Sequence, residues 1–149
     1  MRLNNSGYLL ICEFEGLSLT PYLCPAKIPT IGYGNTFYSD GSKVKMSDPA
    51  ISKYIAFEMF KTIADDFAKK VSKLITSPLN QNQFNAIVSF SYNCGISNLK
   101  SSTLLKKVNF NPSDLTIKDE FLKWDKSRGK VLKGLTRRRE LESEIYFNK

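Results

Sequence analysis

The chain has 149 residues, 42% hydrophobic and 24% charged, with 22 Lys and Arg against 14 Asp and Glu and no histidine. That length supports one substantial core. The composition disfavours a disordered or membrane-integral class, and the missing histidine excludes Ser-His-Asp and Cys-His nucleophile systems and His-ligated zinc. A net charge of +8 attracts polyanions such as nucleic acid, anionic lipid or the acidic polymers of a bacterial envelope, without choosing among them. Cys12, Cys24 and Cys94 lie far apart with no CxxC pair, which points to a reduced compartment rather than a metal knuckle or disulfide framework. The N-terminal residues lack a sustained apolar run, and Tyr8-Leu9-Leu10-Ile11-Cys12 is too short for a signal sequence or a membrane span.

In chain order, Asn5 or Ser6 caps a first helix with Leu9, Leu10, Cys12, Phe14 and Leu17 on one face, ending at Glu15 with Gly16 as terminator. Between Ile28 and Val44 the pattern turns β-like, in Thr30-Ile31-Gly32-Tyr33, Thr36-Phe37-Tyr38 and Lys43-Val44, with a turn at Ser39-Asp40-Gly41-Ser42. This predicts a small hairpin or three-stranded sheet. Ser47-Asp48-Pro49 opens a long helix in which Ile51, Ile55, Met59, Ile63, Phe67, Val71 and Leu74 form the apolar stripe, until Ser77-Pro78 stops it. About 25 residues of helix span roughly 40 Å, enough to connect two lobes.

The remainder reads as helices over Gln81–Cys94, ended by Gly95, then 97–108, 115–124 and 134–146, with loops at 109–113 and 127–130. Phe84, Phe90, Tyr92 and Trp124 read as core, as do Cys12 and Cys94. The expected fold is α+β, predominantly helical, in a single domain over 1–149. Its parts are a small β lobe at about 16–48, a connecting helix at about 49–75, and a helical lobe built from 1–15 and about 76–149.

Glu15-Gly16, the spacing onward to Cys24 and Thr30, and Thr30-Ile31-Gly32-Tyr33-Gly34 resemble the phage-type lysozymes of glycoside hydrolase family 24. The resemblance continues through Gln81-Asn82-Gln83-Phe84-Asn85-Ala86-Ile87-Val88-Ser89-Phe90, Asn93-Cys94-Gly95, Lys100-Ser101-Ser102-Thr103-Leu104-Leu105, Trp124 and Gly134-Leu135-Thr136-Arg137-Arg138-Arg139, and so covers nearly the whole chain. It implies a lysozyme-like fold and an endolysin that cuts the β-1,4 link between N-acetylmuramic acid and N-acetylglucosamine in peptidoglycan, with no metal and no cofactor. It also implies Glu15 as general acid, Thr30 as a water-positioning hydroxyl and Arg138 as support for Glu15, with the register among Arg137, Arg138 and Arg139 open. Asn93 and Gly32 are placed in the substrate cleft. The sequence departs from the familiar pattern at Cys24, where many members carry Asp as general base and some carry Cys. Asn35 stands where His is common.

The residue chemistry fits that outline. Glycoside hydrolysis needs one group to protonate the leaving oxygen and a second to act on water or on the anomeric carbon. A carboxyl at the negative pole of a helix, inside a cleft, keeps its proton more readily than one in water, which suits the acid role. A thiol is a poor base at neutral pH unless its surroundings favour the thiolate, and Lys27 is the nearby cation. Such a thiolate either activates water and inverts the anomeric centre, or attacks the sugar and retains it. Thr30 also satisfies simple strand propensity. Gly32 and Gly34 provide unusual backbone angles or close substrate approach, at a spacing unlike a phosphate loop.

Two other readings stay open: a glycan-binding relative without turnover, because Asp has become Cys, and, more remotely, a basic nucleic-acid binder using Arg137-Arg138-Arg139. No base-reading motif accompanies that triplet, so no nucleic-acid partner is expected. The further expectations are a monomer with peptidoglycan as partner, no stable membrane insertion, synthesis in the host cytoplasm, and access to the wall through a separate holin-like permeabilising protein.

Overall fold

The computed structural model describes residues 1–149. Helix α1 (Asn5–Phe14) starts at Asn4, whose side chain accepts the Gly7 amide at 3.0 Å. It ends one residue earlier than expected, because Glu15 already has extended backbone at φ −99° and ψ 129°. Gly16 does not adopt the left-handed conformation of a glycine terminator. The buried face is Gly7, Leu10 and Ile11, whereas Leu9, expected inside, is 64% exposed. Two residues from Ile11 is about 200° around the helix, so Leu9 must point away from the face that packs on the bundle.

Strands β1 (Ser18–Leu23) and β2 (Pro29–Gly32) pair antiparallel, with Tyr22 opposite Thr30 and Leu23 opposite Pro29. The first strand escapes sequence reading because Pro21 interrupts it and its register is irregular between Ser18 and Tyr22. The expected third strand is reduced to isolated bridges, Ile31 to Asn35 and Phe37 to Lys43. Gly32 and Gly34, at φ +67° and +86°, turn the chain too sharply between Ile31 and Asn35 for the ladder to continue.

Helix α2 (Lys53–Leu74) begins later than expected, with Ser52 as cap accepting the Ile55 amide at 3.1 Å. Asp48 instead closes a turn, its Oδ2 accepting the Lys45 amide at 2.8 Å and the Tyr38 hydroxyl at 2.7 Å. The helix's 22 residues span about 33 Å. Its buried stripe is Ala56, Met59, Phe60, Ala64, Ala68 and Val71, rotated from the expected one, so that Ile55 and Ile63 are exposed. The alanines mark the side where neighbouring elements approach most closely.

Helix α3 (Gln81–Cys94) has the boundaries the sequence predicts: Asn80 and Gln83 form a reciprocal capping box and Gly95, at φ +93°, ends it. It is buried continuously from Phe84 to Ser91 and packs against α1, α2 and α7. The single helix expected over 97–108 is two, α4 (Ile96–Ser101) and α5 (Thr103–Phe110). Ser102 breaks it with extended backbone, and its Oγ accepts the Leu105 amide at 3.0 Å to cap α5. After α6 (Ile117–Leu122), a short hairpin of β3 (Lys126–Ser127) and β4 (Lys130–Val131) replaces the expected loop, turning through Arg128 and Gly129, both at positive φ. The chain closes with α7 (Lys133–Phe147).

The principal core of 18 residues includes Phe60, Phe84, Phe90, Phe121 and Tyr146. A smaller cluster of Ile31, Val44 and Met59 lies under the β1–β2 hairpin. Phe84 and Phe90 are core as expected, with Tyr92 and Trp124 packed at its edge; Trp124 meets Phe90 edge-on at 5.4 Å.

Candidate active site

Where α1 stops, Glu15 turns its side chain toward α7. Arg138 Nη1 donates to Glu15 Oε1 at 3.2 Å, with the Glu15 side chain 25% exposed and the Arg138 side chain 4%. The same guanidinium donates through Nη2 to the Ser89 carbonyl at 3.3 Å and stacks over the Phe14 ring at 4.9 Å. It is thereby fixed from three directions before any ligand arrives.

Helix geometry sends the three consecutive arginines about 100° apart, and each meets a different carboxylate. Arg137 lies on the surface and pairs with Glu13 at 3.1 Å. Arg138 takes Glu15. Arg139 turns inward, donating from Nη1 to Cys94 Sγ at 2.6 Å and from Nη2 to Asn93 Oδ1 at 2.9 Å. Cys94 is therefore more than apolar filling; burial pushes its thiol up, opposed by Arg139.

Glu15, Asn93 and Arg138 line one cleft of about 530 Å³ with Phe14, Leu132 and Leu135. A larger groove of about 830 Å³, between the N-terminal residues and α2, contains none of the candidate residues. Size alone would select that groove; the convergence of a carboxyl, a guanidinium and an amide favours the cleft at Glu15.

Cys24, Thr30 and Gly32 belong to the β1–β2 hairpin rather than to the lining of that cleft. Cys24 N–H donates to the Ile28 carbonyl at 3.1 Å and Lys27 N–H donates to the Cys24 carbonyl at 2.7 Å. With Lys27 left-handed at φ 61°, the result is a three-residue hairpin loop. Backbone hydrogen bonding from Ile28, then Ala26, together with the Thr30 hydroxyl, outweighs desolvation and holds the Cys24 thiol below its ordinary value. Lys27, the expected cation, is not among these groups. Thr30 has one hydroxyl proton for two acceptors, since its Oγ1 also donates to the Ile28 carbonyl at 2.8 Å. Gly32 has the left-handed backbone expected of it, and Asn35 is buried against it.

Sequence reasoning missed Glu142. It is fully buried on α7, with Oε1 3.7 Å from Arg138 Nε and 2.5 Å from Arg139 Nη2. Arg139 nevertheless aims its aligned N–H groups at Asn93 and Cys94, so its approach to Glu142 is an ion pair without the alignment of a full hydrogen bond, and the Ser89 hydroxyl is the other polar group against that carboxyl. Burial pushes its carboxyl up to about 7, against Arg139 and Arg138, which lower it. A signal was present: Arg138 and Glu142 are one helical turn apart on a face that must meet α3.

Residues 12–142 match the family model described as phage lysozyme. The endolysin of Bacillus phage B103 is 40% identical over 149 residues, covering 99% of this chain and 54% of that protein. The chain thus spans about half the length of that relative. Among solved structures, an endolysin from Escherichia coli O157:H7 phage FAHEc1 superposes with a TM-score of 0.90 at 36% identity, covering 99% of this chain and 94% of that one. A crystal structure of P22 lysozyme gives 0.88 at 32% identity, with 99% of both chains covered. The fold is that of a lysozyme-like protein. The chain belongs to the phage lysozyme family.

Proposed function

We propose that this chain is a muramidase, the wall-cleaving unit of an endolysin, which hydrolyses the β-1,4 bond between N-acetylmuramic acid and N-acetylglucosamine. The observation that carries this reading is the Glu15–Arg138 pair at 3.2 Å on a cleft, in a chain of the phage lysozyme family. Glu15 protonates the leaving glycosidic oxygen, with Arg138 fixing its orientation. Asn93, tied to Arg139, supplies an amide for the sugar. Gly32 shapes the end of the hairpin strand.

Cys24 acts as the second group. The backbone amides around its sulfur favour the thiolate without any neighbouring cation. Thr30 positions the attacking water beside it. Attack by that water inverts the anomeric centre, whereas attack by sulfur followed by hydrolysis retains it. The anomer of the first-formed product, read by NMR, distinguishes the two courses.

The test of the reading is loss of turbidity in a suspension of purified peptidoglycan. The wild type clears the suspension, and Glu15→Gln slows clearing by roughly 10²- to 10⁴-fold. Equal clearing by the two proteins removes Glu15 from the acid role. No helix is long and apolar enough to cross a membrane. We infer further that the chain acts as a monomer, is made in the host cytoplasm and reaches the wall through a separate permeabilising protein. Host lysis by this chain in the absence of any such protein would contradict that route.

A further inference from the structure

Beneath the cleft, five buried polar atoms lack a hydrogen-bond partner: Arg138 Nε, Arg139 Nε, both Glu142 carboxylate oxygens and Ser89 Oγ. All five belong to α3 and α7, which pack together. Two guanidiniums with almost no solvent access require counter-charge, because a buried unpaired cation is strongly destabilising. Glu142 is the only carboxylate within ion-pair distance of both. Arg138 continues to Glu15, and Arg139 continues to Asn93. One buried carboxylate therefore stands behind two residues that line the same cleft.

We propose that Glu142 is a positioning residue for the reaction at Glu15: it divides the charge of Arg138 between two carboxylates and anchors Arg139, so that Glu15 and Asn93 keep fixed places on the cleft floor. The proposal rests on the muramidase reading. The charged or titratable groups facing Glu142 are Arg138 and Arg139 from α7, Cys94 from α3 and, through Arg138, Glu15 at the end of α1. Glu120 on α6, also buried, is already occupied by Lys107 at 3.0 Å and Lys123 at 2.9 Å.

A guanidinium shared between two carboxylates stabilises the ionised form of each less than it would alone. Removing the Glu142 charge turns all of Arg138 onto Glu15. Conversely, removing the Glu15 charge turns Arg138 onto Glu142. This reciprocity is required of any true coupling. A residue that merely fills space produces neither effect.

Two measurements test it. In wall clearing, Glu142→Gln is expected to lower kcat roughly 10-fold, with KM little changed, and to move the alkaline limb of the pH–rate profile to lower pH. A wild-type profile in a folded Glu142→Gln protein, with only reduced thermal stability, would overturn the proposal. The second measurement needs no activity and avoids a buried substitution: ¹³C NMR titration of the Glu142 carboxyl in wild type and in Glu15→Gln. Its midpoint is expected to fall in the variant, because Arg138 then faces Glu142 alone. An unchanged midpoint overturns the coupling whether or not Glu142→Gln folds. Failure of the wild type to clear walls would sink the muramidase reading instead, and the titration would still decide whether Glu142 and Glu15 are coupled.

Discussion

Three thiols sit in three environments, and their chemistry should separate accordingly. Burial, and then the neighbouring Glu15 charge, push Cys12 up to about 11. Burial also raises Cys94, while the hairpin amides lower Cys24. Because the thiolate is the reactive species, iodoacetamide at pH 8 should alkylate Cys24 first, by roughly 10-fold over either other cysteine, as read by peptide mapping. Faster labelling of Cys12 or Cys94 would contradict the assigned environments. Glu15, Thr30 and Arg138 were legible as candidates because their spacing follows a family motif. Lys27 misled because closeness in sequence does not give direction, and a left-handed turn residue need not aim its side chain at the sulfur three residues back. Glu142 was overlooked despite its one-turn spacing from Arg138, because a glutamate among arginines on a charged helix reads as solvated surface.

At the scale of elements, α1 is seated on α3 through Gly7. A Cβ there would lie 2.6 Å from Asn85 Oδ1 and 2.7 Å from Leu3 Cδ2. Asn85 is also engaged, donating to Asn4 Oδ1 at 2.8 Å and accepting from Gln81 Nε2 at 2.9 Å. Gly7→Ala should therefore destabilise by about 1–3 kcal/mol, despite the better helix propensity of alanine. Denaturant unfolding measures this, and a neutral or stabilising result would contradict the close approach. Helix α3 could be read end to end because its capping box and terminal glycine agree with its apolar pattern. The start of α2 could not, since Ser47-Asp48-Pro49 and Ser52 are comparable start signals and the choice depends on the tertiary bond from Tyr38 to Asp48. The β1 strand and the break at Ser102 likewise depend on partners distant in sequence or on backbone geometry that periodicity does not carry.

For the whole molecule, the excess of eight positive charges is left largely on the surface, because the buried acids Glu120 and Glu142 are already matched by cations. A positive field speeds encounter with an acidic wall without providing specificity, and salt screens it over about 8–10 Å at physiological strength. Wall clearing at limiting substrate should slow several-fold between roughly 50 and 300 mM salt. Cleavage of a short soluble oligosaccharide of alternating N-acetylmuramic acid and N-acetylglucosamine, which carries few charges, should change less; equal salt sensitivity on both substrates would assign the effect to the cleft instead. The central claim, that Glu15 protonates a muramyl glycosidic oxygen, is tested most directly by the new chain ends formed as walls dissolve. Borohydride reduction and mass spectrometry should find reduced N-acetylmuramic acid termini rising with clearance by the wild type and absent with Glu15→Gln. Reduced N-acetylglucosamine termini, or released peptides without new sugar ends, would contradict it.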